Sequence, residues 1–163
     1  MRMMSCAEVM SIMRLDQNKF WIVPFEDHHI TMANLRDIDA DLLNAYGRPF
    51  IQQQKIHGLS FTALHEGTII AMWGLYPLFK GKAEAWLIPT HELTHGKLTF
   101  QKGAKRFFPY SAQKCNLNRI QSFVCSTNVV AYKWIESMYF KREGRLKMFG
   151  PDDLDYFIYA RIF

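Results

Sequence analysis

The chain has 163 residues, 49% of them hydrophobic, 15% aromatic and 21% charged, with a formal net charge of +5. That length suits a single domain with a sizeable core, and the composition excludes a disordered chain, which would be poor in apolar and aromatic residues. No stretch approaches the roughly 18–20 apolar residues that span a bilayer, so no membrane partner is expected.

Met1 to Leu15 is rich in methionine, but Glu8 and Arg14 interrupt it and no compact apolar run leads to a small-residue cleavage site. It reads as an amphipathic N-terminal segment, residues 1–17, with Met3, Val9, Met10 and Met13 available to pack on the body or on a partner. Residues 18–163 are read as the main domain. Phe20 to Phe25 (FWIVPF) reads as a strand. Asp27 to Tyr46 reads as a helix with apolar residues near helical spacing, Asp27 as its cap, and Gly47 and Pro49 as its stop. A short helix is expected from Pro49 to about His57.

A strand cluster follows. Ser60 to His65 and Thr68 to Tyr76 flank the turn pair Glu66-Gly67 and read as a hairpin. Pro77 to Lys82 reads as a turn, and Ala83 to Ile88 (AEAWLI) as a strand ended by Pro89. His91 to about Cys115 reads as loop plus helix, Arg119 to Cys125 as a strand, and Asn128 to Tyr139 as a helix capped by Asn128. Glu143 to Phe149 and Asp155 to Phe163 close the chain as two strands joined by a Gly-Pro-Asp-Asp turn. This order implies an α/β fold: a mixed sheet with helices on both faces. Ala83–Ile88 and Arg119–Cys125 are expected to run parallel, because a helix crosses between them.

Several residue groups invite chemistry. The three cysteines, Cys6, Cys115 and Cys125, show no C-x-x-C spacing and suit a reducing cytoplasm, so secretion is not expected. The basic clusters Lys102/Lys105/Arg106 and Lys141/Arg142/Arg145/Lys147 come with no nucleic-acid-binding module. A nucleic-acid partner is therefore not expected, and the clusters read as solvated faces or as a basic rim attracting an anionic cofactor. His91-Glu92-Leu93-Thr94-His95 spells H-E-x-x-H, a zinc-peptidase pattern when helical. No Asp, Glu or further His lies between His95 and Ile135 to serve as a third ligand, so no metal is expected. His28-His29, being adjacent, point apart on a helix and read as exposed first-turn residues.

The C-terminal third, from Arg119 to Ile162, resembles the GNAT (GCN5-related N-acetyltransferase) superfamily. The matching residues are Arg119 and Ile120 opening a strand, Asn128, Ala131 and Trp134 on a helix, then Phe140, Glu143, Gly144, Asp155 and Tyr159. Tyr139 stands where the family has glycine. Leu35 to Phe50 and Gly67 to Ile88 are similar to GNAT-like internal virion or head-morphogenesis proteins of short-tailed phages. The resemblance implies a mixed, mostly antiparallel sheet whose fourth and fifth strands are parallel and splayed. It also implies acetyl-CoA as cosubstrate, a protein or peptide acceptor amine, and a location in the host cytoplasm or associated with the virion. Among the implied residues, Glu84 is the base, and Tyr132 stands in for the family's thiolate-protonating tyrosine, whose position holds Ile135. Leu87 and Ile88 run beside the pantetheine, Gly96 and Lys97 face the pyrophosphate, and Asn128 touches the pantetheine or caps its helix. The loop PTHELTHGKLTF offers a single glycine, so acetyl-CoA is expected to bind weakly or not at all. A second reading is therefore a catalytically silent member that works through a virion or host protein partner.

Overall fold

A computed structural model describes residues 3–41, 43–44, 53, 55 and 57–163. Seven strands, β1 (Phe20–Pro24), β2 (Leu59–His65), β3 (Thr68–Phe79), β4 (Lys82–Pro89), β5 (Arg119–Cys125), β6 (Lys141–Leu146) and β7 (Tyr156–Ile162), form one sheet. Its order is β1-β2-β3-β4-β5-β7-β6. Every neighbouring pair is antiparallel except β4–β5, which is parallel as expected. The β2–β3 turn is built on left-handed Glu66 (φ 50°) and Gly67 (φ 83°), the pair of positive angles that a two-residue hairpin needs. β3 is a central strand whose residues from Ile69 to Tyr76 are buried or half-buried, which explains its unbroken apolar run. It continues through Pro77 to Phe79, so the turn expected over Pro77 to Lys82 is shorter than the sequence suggested. Pro77 has no N–H to donate and is absorbed by a register irregularity between Pro77 and Phe79.

The sheet is covered by helices that include α1 (Cys6–Met13), α2 (His28–Met32), α3 (Lys97–Lys114) and α4 (Val129–Ser137). On one face, the alternate residues Ala83, Ala85, Ile120, Val124 and Tyr159 join Val9 and Met13 of α1, Phe100 and Phe107 of α3 and Ile135 of α4 in the main core. On the other face, Phe25, Ile69, Met72 and Ile88 make a smaller cluster with Ile30, Leu35, Leu43 and Trp86. α1 lies against α3, with the Glu8 carboxylate accepting from the Tyr110 hydroxyl (2.5 Å) and pairing with Lys114 (2.9 Å). Val9 and Met13 are buried, whereas Met3 is exposed.

The long helix expected from Asp27 to Tyr46 is broken. Ala33 is extended (φ −81°, ψ 139°), Leu35 forms an isolated bridge with Thr90, and helical structure resumes at residues 37–41, 43 and 44. Asn34 ties this stretch to a neighbouring segment: its backbone O accepts from His91 N–H at 3.0 Å, and its side-chain Nδ2 donates to Glu92 at 3.2 Å. Asp27 makes no side-chain cap bond, contrary to expectation. The expected stop at Gly47 and Pro49 lies outside the described residues, as does most of the helix expected from Pro49 to His57, of which residues 53, 55 and 57 are helical. No helix among the described residues is long and apolar enough to cross a membrane.

Candidate active site

β4 and β5 are in register for three pairs only: Lys82↔Arg119, Ala83↔Ile120 and Glu84↔Gln121. Beyond Glu84 the strands diverge, and residues 85–89 face residues 122–125 across a cavity of about 390 Å³. β4 is bonded to β3 along its other edge through this stretch, so every second N–H and C=O of residues 85–88 faces the gap. The start of α3 and one side of α4 complete the walls, through Lys97, Phe100, Ala131, Trp134 and Ile135.

Strand alternation divides this cleft in two. Ala85, Leu87, Ser122 and Val124 point to the α3–α4 face, and Glu84, Trp86, Ile88 and Phe123 to the α2 face. Glu84 therefore sits where the strands part, on the α2 side. Burial pushes its carboxyl above the usual carboxylate range, and it has no hydrogen-bond or ion-pair partner among the described residues. A carboxylate in that setting is a proton acceptor of raised basicity.

At the opposite end, α3 begins at Gly96, which offers no side-chain cap, and no acidic residue occupies its first turn. Phe100 N–H already bonds Gly96 O at 2.9 Å, so the free donors belong to the residues between them, starting with Lys97. An 18-residue helix presents a partial positive charge at this end, and Lys97, which lines the cavity, adds a full one. Gly96 itself serves packing. A Cβ there would lie 2.9 Å from Cε1 of Phe20 and 3.5 Å from Cδ1 of Ile70, so glycine is needed whether or not an anion binds. The end expected to face a pyrophosphate thus has a dipole and a cation but no glycine-rich cradle.

Leu87 and Ile88 line the gap, and Asn128 does so while its Oδ1 accepts from Ala131 N–H at 3.1 Å. The cap and cleft positions are thus one and the same. Tyr132 is not among the cleft-lining residues and packs edge-on against Phe157 of β7, ring centroids 6.1 Å apart. α4 turns Ala131 and Trp134 to the cleft, and about 100° of rotation per residue puts Tyr132 on the flank toward β7. The basic clusters also lie elsewhere. Lys105 stacks on Tyr139, Arg106 bonds Met13 O, Arg142 covers Phe157 and Arg145 pairs with Asp155.

The H-E-x-x-H stretch forms a short 3-10 turn, His91–His95, capped by Thr90. At three residues per turn, positions four apart lie about 120° from one another, so the two histidines do not share a face. Glu92 is held by Asn34 and lies 3.5 Å from His95. No group of three His, Cys, Asp or Glu side chains converges among the described residues. His29 is half-buried rather than exposed. Its Nδ1 lies 2.8 Å from the hydroxyl of Thr62 and accepts from Glu26 N–H at 3.1 Å, and burial holds its pKa below the usual histidine value.

Sequence reasoning did not single out the remaining cleft residues. Phe123, Phe149 and Tyr156 form a ring cluster on the α2 side, with centroids 5.1 and 5.8 Å apart. Asp39 is buried, lines the cleft and pairs with Arg36 at 2.5 Å. Burial raises the Asp39 pKa, and the Arg36 bond offsets this in part. Asp39 and Arg36 belong to the segment after the helix break, whose position follows from its bonds to the Thr90–Glu92 stretch.

No family model matches the chain, and no curated protein does. Solved structures do. A GNAT-family acetyltransferase from Bacillus anthracis is 18% identical over 88% of this chain and 95% of its own, with a TM-score of 0.68. A ribosomal-protein-S5-alanine acetyltransferase from Vibrio fischeri is 14% identical over 91% and 95%, with a TM-score of 0.67. A variant of a spermidine N-acetyltransferase from Vibrio cholerae is 17% identical over 90% and 95%, with a TM-score of 0.68. The chain has the fold of the GNAT acetyltransferases.

Proposed function

We propose that the chain is an acetyl-CoA-dependent N-acetyltransferase whose acceptor is a protein or peptide amine. The observation that carries this reading is Glu84, a carboxylate of raised basicity with no partner among the described residues, placed where the two parallel strands separate. The cleft fits the cosubstrate in part. The open edge of residues 85–88 and the apolar wall of Leu87, Phe100 and Ile135 suit a pantetheine arm, and the start of α3 with Lys97 suits phosphate. Acetyl-CoA supplies an activated acetyl thioester when bound. Glu84 takes the proton that the acceptor nitrogen sheds as it attacks, and backbone N–H groups facing the gap stabilise the charge developing on the carbonyl oxygen.

No titratable side chain of α4 lines the cleft, so the departing thiolate takes its proton from solvent in this account. The absence of that acid, together with a Gly96 committed to packing, favours the second reading, a silent member acting through a virion or host partner. Thiol release from acetyl-CoA, followed with a thiol-reactive dye across a panel of peptides, tests the choice. Amine-dependent release that Glu84→Gln abolishes supports the enzyme. Release no faster than in buffer for every acceptor supports the partner-binding reading. Placement in the host cytoplasm or the virion follows from the phage resemblance and is part of the same proposal.

A further inference from the structure

The α2-side half of the cleft, through which an acceptor reaches Glu84, has a distinctive balance of charge and aromatic surface. Its walls are Trp86, Phe123, Phe149 and Tyr156, with Leu43 and the Arg36–Asp39 pair alongside. The carboxylates lining it are Glu84 and Asp39, and Asp39 is neutralised by Arg36 at 2.5 Å. The sequence adds no other acid from the undescribed positions, since residues 1–2, 42, 45–52, 54 and 56 include neither Asp nor Glu. Among the described residues one unpaired negative charge is therefore available to an incoming cation, surrounded by aromatic surface. Phe149, on the loop between β6 and β7, is 50% exposed at the mouth, so this wall is open to a ligand.

Resting on the acetyltransferase reading, we propose that the acceptor is the α-amine of a peptide whose first side chain is aromatic or bulky aliphatic, and not a polyamine or a lysine side chain. A polyamine brings several positive charges into a site with one free carboxylate, and each unmatched ammonium loses hydration without a partner. A lysine ε-amine is long, flexible and apolar only along its stem, so it leaves the ring cluster Phe123–Phe149–Tyr156 without a partner. An α-amine next to an aromatic side chain places one charge near Glu84 and one ring against that cluster. Proton chemistry points the same way. An α-amine has an ordinary pKa of roughly 7.7–8.0 against about 10.4 for lysine, so several-hundredfold more of it is free base at pH 7. That matters in a site whose base is a carboxylate.

The test compares four acceptors: a tetrapeptide opening with phenylalanine, the same peptide opening with glycine, an N-acetylated peptide with one internal lysine, and spermidine. Each is assayed for acetyl-CoA turnover and, separately, for binding to the protein without acetyl-CoA by calorimetry. The phenylalanine peptide is expected to exceed the other three in kcat/KM by roughly 10- to 100-fold, the ratio that burying one aromatic side chain provides. Phe149→Ala is expected to reduce that preference to below about 5-fold, read as the ratio of the phenylalanine to the glycine peptide, with the unfolding midpoint measured alongside as the control for the fold. Spermidine or the lysine peptide equalling the phenylalanine peptide overturns the proposal while leaving the acetyltransferase reading standing. If nothing turns over, binding decides. A phenylalanine-peptide preference lost in Phe149→Ala upholds the pocket and removes the enzyme reading, and equal or absent binding removes both.

Discussion

Replacing Glu84 with glutamine separates the function of this carboxylate from its cost to the fold. The substitution preserves shape and removes the charge. In the folded chain burial raises the Glu84 pKa, with no partner among the described residues to offset it. Between the unfolded and folded values the native state therefore binds more protons than the unfolded state, and stability falls as pH rises through the folded value. Above the folded value the wild-type chain carries the whole desolvation cost, about 1.4 kcal/mol for each tenfold loss of acidity. Glu84→Gln is expected to be more stable than wild type at pH 7, with the difference closing below the ordinary carboxylate range, as read by urea denaturation at both pH values. Loss of a general base should lower kcat by roughly 10²–10⁴-fold, about 3–5 kcal/mol of barrier. The wild-type rate should climb with pH along a limb displaced upward from the ordinary glutamate value, and the variant should lack that limb. A variant that keeps its rate within about threefold, or that is less stable at pH 7, refutes the role assigned to Glu84.

Gly96→Ala forces a Cβ to 2.9 Å from the Phe20 ring and should cost about 1–3 kcal/mol in denaturant unfolding. A fully stable variant would return Gly96 to the phosphate site. Lys97→Ala should weaken acetyl-CoA binding by roughly 3- to 10-fold at low salt, with the gap shrinking at high salt as the charge is screened. Calorimetry at two salt concentrations reads both effects. Tyr132→Phe should leave kcat within about twofold, because the phenol lies outside the cleft, and a loss comparable to that of Glu84→Gln would restore it as proton donor. Asn128→Ala removes the bond to Ala131 N–H and should lower stability by about 0.5–2 kcal/mol, seen as a lower unfolding midpoint.

Features decided within one strand or one helical turn are legible in the sequence. The span of β5 agrees with its predicted bounds because RIQSFVC alternates in period two, and the Asn128 cap forms because capping is decided within one turn. Glu84 follows from the resemblance to a family strand that carries a glutamate, and its place is where β4 and β5 part. The corrections share a different origin, in contacts distant along the chain. The break at Ala33 depends on Asn34 bonding residues of the Thr90–Glu92 stretch, and no periodicity in Asp27–Tyr46 reports that. Gly96, expected to face the pyrophosphate, also packs on the ring of Phe20 on β1, a contact that no local pattern reports. Tyr132 stands about one residue of helical rotation from the cleft, set by how α4 sits on Phe157. The aromatic wall was illegible because Phe123, Phe149 and Tyr156 come from β5, a loop and β7, and only the sheet order brings them together.

The most direct test of the central claim is a crystal structure of the protein with acetyl-CoA. The account predicts the pantetheine between residues 85–88 and 122–125, the thioester next to Glu84, and phosphate oxygens on the N–H groups that open α3 beside Lys97. A chain that crystallises without the ligand at saturating acetyl-CoA, or holds it away from the gap between β4 and β5, contradicts it.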